Sequence, residues 1–121
     1  IAFTSALVSR SYAAENPQVV QSFVNALAET MQLLHTDPDV YRRVSAQEFD
    51  QVPPAAIEAG TRRLLGTEGI VPRDPMLSRQ EWDAIVAHDL AAGTVRGQGD
   101  YDTLVDMSFA ERAVQTLRDG G

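Results

Sequence analysis

The sequence predicts a mainly α fold, about five helices with one strand at the N-terminus. Three observations carry this. Two cap-and-proline starts follow one another, Asn16-Pro17 and Asp37-Pro38. Between them, apolar residues recur at a helical period. Ahead of them, Ile1 to Val8 is a short apolar run bounded by Ser9-Arg10-Ser11, the length and composition of a buried strand.

The elements follow in chain order. A lone strand leaves its edges unpaired, so Ile1–Val8 calls for partner strands outside these residues. Tyr12-Ala13-Ala14 fits a short helical turn. Asn16 is a capping residue and Pro17 suits a first helical position, where no N–H is required. Val20, Phe23, Val24, Leu27, Met31 and Leu34 then form one apolar stripe of a long helix ending at Thr36, with Gln18, Gln21, Asn25, Glu29 and Gln32 on its wetter sides. Asp37-Pro38 opens a second helix through Tyr41 and Val44, and 46–51 reads as a polar connection. Pro53-Pro54 starts a helix through Ile57, Thr61, Leu64 and Leu65 that Gly66 stops. The stretch 67–77, with Gly69, Pro72 and Pro75, reads as a loop. Ser78 and Glu81 form a capping-box pair ahead of a helix bearing Trp82, Ile85, Val86 and Leu90 and ending at Gly93. The segment 93–100 is a polar, Gly-containing loop. Ser108 with Glu111 repeats the capping-box spacing before a last helix whose inner face carries Phe109, Ala113 and Leu117.

Composition excludes several functions. The chain has 121 residues, enough for one unit, so 1–121 reads as a single body. Its net charge of −7 and its basic residues, all Arg and scattered, leave no electrostatic driver for nucleic acid. No apolar run approaches the ~20 residues that span a bilayer. Cysteine is absent, which removes disulfides and thiolate chemistry. The opening IAFTSALVSR has no Met, basic leader or cleavage site, so the chain is expected to begin inside a structural element.

Residue types that could carry chemistry are few, and each has a plainer alternative. His88-Asp89 resembles part of a phosphohydrolase metal site, but His35 is far off in sequence and further ligands are lacking; a partly exposed helical His also fits. Asp100, Asp102 and Asp106 lack the glycine and closing Glu of a calcium loop and fit an acidic capping segment. Ser5 and Ser108 have no glycine-flanked elbow or paired base. Trp82 and Phe23 fit core positions, and Tyr101, after Gly97 and Gly99, fits either a packing role or a partner contact. Arg42-Arg43 and Arg62-Arg63 fit solvated faces or local ion pairs. No cofactor is implied.

The apolar FTSALVSR, followed by E-N-P-x-x-V-x-x-F-x-x-A-L at Glu15 to Leu27, resembles the carboxy-terminal third of periplasmic solute-binding proteins. The subfamily is that of nitrate, sulfonate, taurine and bicarbonate ABC importers, together with thiamine-pyrimidine-precursor binders. Trp82 in a helix ending near Gly93 is similar to the family's penultimate helix. Tyr101-Asp102-x-Leu104-Val105-Asp106-x-Ser108-Phe109-Ala110 resembles its closing segment, although the family's more usual Gly-Leu-Val reads Gly93-Thr94-Val95 here.

The resemblance implies a two-lobed α/β (type II) protein whose lobes close on a small ligand and dock on a membrane permease. Ile1–Val8 would be a returning hinge strand and 12–119 the helical flank of the first lobe. The location implied is periplasmic, or extracytoplasmic and lipid-anchored. Phe3, Thr4 and Ser5 are the candidate ligand contacts, near the cleft end of that strand; the remaining contacts would lie upstream. Two other classes stay open. One is an enzyme, since some relatives of this fold make a pyrimidine precursor with His and Cys placed elsewhere; this chain has no Cys and its two His are not clustered. The other is a self-contained helical module that dimerises through its first strand.

Overall fold

In the computed structural model, residues 5–67 and 69–120 are described, and they are all-helical. Seven helices follow in order: α1 Arg10–Glu15, α2 Pro17–Thr36, α3 Pro38–Glu48, α4 Pro54–Leu65, α5 Arg79–Ala91, α6 Tyr101–Leu104 and α7 Ser108–Asp119. There is no strand or sheet among the described residues, which corrects the expected N-terminal strand and the type II α/β architecture built on it. Ser5 to Ser9 have no regular structure and are exposed, Leu7 at 93%. The physical reason is the one that made the strand conspicuous: an extended segment satisfies its backbone only beside another, and none among the described residues pairs with Ser5–Val8; Ile1–Thr4 lie outside the described residues. Ser9 instead caps α1, its hydroxyl accepting the Tyr12 N–H at 3.2 Å.

The helix boundaries follow the local signals. Asp37 accepts the Asp39 N–H at 3.2 Å and Pro38 takes the first position of α3. Ser78 and Glu81 form the full capping box at the start of α5. Two caps differ from expectation. Asn16 precedes α2 but makes no side-chain cap; its Nδ2 donates back to the Tyr12 carbonyl. Ser108 is the first residue of α7, and the carboxylate of Asp106 accepts the Ser108 N–H at 2.9 Å.

The helices pack as α1 on α2, α2 on α3, α3 on α4, and α2 most extensively on α7. Small residues dominate what is buried. Ala28 on α2 is fully covered, Ala113 on α7 is 1% exposed, and Ala110 and Val86 complete the buried apolar set. No large side chain is fully buried among the described residues. An ion-paired Arg42 ties α3 to α4, reaching Glu58 at 2.7 Å and Asp39 at 2.6 Å; these groups are wet, so the pair contributes little to stability.

The long helix has two apolar faces. Val20, Val24, Leu27, Met31 and Leu34 are half-buried, as the expected stripe requires. Phe23 is not; it is 57% exposed. It belongs to a second stripe with Val19, Ala26, Thr30 and Leu33, all exposed. At about 100° per residue, these five positions lie on the side of α2 opposite Ala28. The arc of Gln18, Gln21, Ser22, Asn25, Glu29 and Gln32 is polar. The two stripes together make an apolar arc of about 180°, broader than the contact with α7 alone requires.

Candidate functional site

An open groove of ≈ 490 Å³ lies where the loop before α5 meets α6 and the start of α7. Its position follows from local chemistry. His35, in the last turn of α2, brings Nε2 within 2.9 Å of the Val71 carbonyl, which pins the entry of the loop. The loop then turns at Asp74, whose carboxylate accepts the Met76 N–H at 3.0 Å. Leu77 is held from two sides: Tyr101 donates its hydroxyl to the Leu77 carbonyl at 2.6 Å, and the Leu77 N–H points at Met107 Sδ at 3.1 Å.

Met76, Leu77, Val105, Met107 and Tyr101 give the groove apolar surface, and Arg73, Asp74, Glu81 and Glu111 also line it. Two of the nearby carboxylates are already engaged. Glu81 accepts both the Ser78 N–H, at 2.8 Å, and the Ser78 hydroxyl, at 2.6 Å, and these bonds hold it below the usual carboxylate range. Asp106 is lowered in the same way by its bonds to Ser108. The Ser78 hydroxyl is taken up in the cap, donating to Glu81 and accepting the Glu81 N–H at 3.2 Å, so these bonds serve the helix start. The groove can seat apolar surface; it does not display a reacting constellation.

Of the aromatic residues expected in cores or contacts, Tyr101 lines this groove and Trp82 packs against Tyr101, while Phe23 lies on the bare face of α2. Tyr101 lies in the short α6, half-buried, with Trp82 edge-on at 6.3 Å and the Arg79 guanidinium 4.7 Å over its ring. Arg79 also pairs with Asp102 at 2.5 Å. Gly99, at φ +63°, lets the preceding loop pass tightly under Leu104 and Trp82. From the other end of the chain, Arg10 donates to the Thr103 carbonyl at 2.7 Å.

The remaining candidates are dispersed. Phe3 and Thr4 lie outside the described residues. Ser5 is exposed, without regular structure, and does not line the groove. Asp100 accepts from the Thr103 hydroxyl, Asp102 meets Arg79 and Asp106 meets Ser108, so the three carboxylates are separately engaged. The His88 Nδ1 lies 3.2 Å from the carboxylate of its neighbour Asp89. Among the described residues no three His, Cys, Asp or Glu side chains come close enough to hold a metal. None of the described helices is long and apolar enough to cross a membrane. Sequence patterns did not reveal the groove itself, because its walls come from residues about 30 positions apart, Leu77 and Met107, with no shared local signal.

Comparison with known proteins adds one point. No family model matches the chain, and no solved structure matches it. It is 25% identical over 114 residues to a Bacillus subtilis (strain 168) protein named "Putative binding protein YtlA". That match covers 93% of this chain and 34% of the B. subtilis protein. The chain thus spans about a third of the length of the curated relative it matches, and over nearly all of its own length it is similar to part of a protein named for binding.

Proposed function

We propose that this chain is a helical scaffold portion of a longer, non-catalytic solute-binding protein. That protein would be the extracytoplasmic partner of an ABC permease, periplasmic or lipid-anchored, and would take a small anionic or heterocyclic solute of the nitrate, sulfonate, taurine or pyrimidine-precursor class. The observation that carries the scaffold role is the pair of neighbouring apolar stripes on α2, one packed and one bare. Burying three or four such side chains is worth several kcal/mol, at roughly 25 cal/mol per Å², so a functional protein would cover them. A protein as long as the B. subtilis relative, of which the match covers 34%, would have polypeptide to do so. The solute class rests on the resemblance of Glu15–Leu27 and Tyr101–Ala110 to the importer family. A dimer joined by the first strand is not carried forward, since Ser5–Val8 form no strand.

Isothermal titration calorimetry with nitrate, taurine and an aromatic sulfonate tests this on two samples, the polypeptide as the cell makes it and the 121-residue chain. Binding of one solute by the first and none by the second is the expected result. Tight binding by the 121 residues alone would overturn the scaffold role. Silence from both would overturn the solute class.

A further inference from the structure

We draw no further inference here: the strongest candidate, the outward apolar stripe of α2 formed by Val19, Phe23, Ala26, Thr30 and Leu33, is already used for the proposed function, and nothing in the structure shows what covers it.

Discussion

Arg112 on α7 donates through Nε to Gln21 Oε1 on α2 at 2.7 Å, while Gln21 Nε2 donates to the Phe109 carbonyl at 2.9 Å. One side chain thus faces α7 with its donor and its acceptor both used. The Arg112 guanidinium also lies 4.7 Å over the Phe109 ring. Gln21→Ala removes both cross-helix bonds and should cost about 1–2 kcal/mol, read as a lower urea midpoint. Arg112→Lys keeps the charge but loses the planar donor and the stacking, and should cost less than Gln21→Ala. An unchanged midpoint in Gln21→Ala would mean that α2 and α7 are held without this link.

The alanines make a sharper test of the same contact. Ala28 and Ala113 are covered almost completely, so added methylenes have nowhere to go. Ala28→Leu should destabilise the chain by about 1–3 kcal/mol through overpacking. Phe23→Ser, on the opposite face of the same helix, should change the 121-residue chain by less than about 0.5 kcal/mol. Equal effects at the two positions would contradict the division of α2 into a packed and a bare face.

Two glycines separate backbone strain from crowding. Both have left-handed backbone, Gly93 at φ +73° and Gly99 at φ +63°. A Cβ at Gly93 meets nothing within 4 Å, whereas at Gly99 it would lie 2.9 Å from Leu104 Cδ1 and 3.3 Å from Trp82. Gly93→Ala should cost about 1 kcal/mol, from conformation alone. Gly99→Ala should cost more, and should shift the emission of Trp82, the single tryptophan. Loss of stability without a Trp82 shift would place the strain elsewhere in the loop.

Acid should loosen the start of α5. Hydrogen bonds from Ser78 hold Glu81 below its ordinary value of 4.5. A carboxylate lowered on folding contributes stability that is fully present above its unfolded value and is lost as pH falls through the folded one. Urea midpoints should therefore be flat near neutrality and fall below about pH 4.5, the unfolded value. Glu81→Gln should reduce that fall while retaining part of the cap, since Gln also serves in a capping box. An identical acid profile in the variant would assign the effect to other carboxylates, of which Asp106 and Glu58 are also lowered.

What could be read from the sequence was what is settled within a few residues. Ser78 with Glu81, Asp37 with Pro38, and Gly66 after Leu65 mark helix ends because caps are local bonds. Ser108 misled for the same reason: Asp106, two positions earlier, offers a competing carboxylate, and the backbone N–H takes it. The run Ile1–Val8 is too short for period to separate strand from helix, and its described part, Ser5–Val8, has no regular structure. Phe23 was assigned inward because the periodic stripe through Val20 and Val24 also admits position 23; which side is packed depends on α7, more than 70 residues away. The groove was hidden likewise, since Tyr101 reaches a carbonyl 24 positions back and no local pattern announces that bond.

The central claim is that the outward face of α2 is covered in the working protein, and the absence of cysteine makes it directly measurable. Phe23→Cys introduces a single thiol on that face, whose alkylation rate can be compared between the 121-residue chain and the polypeptide as the cell makes it. Coverage predicts protection of about 100-fold in the latter, the retardation expected when reaction waits on a local opening of ~3 kcal/mol. Equal rates in the two would leave the face bare and contradict the account.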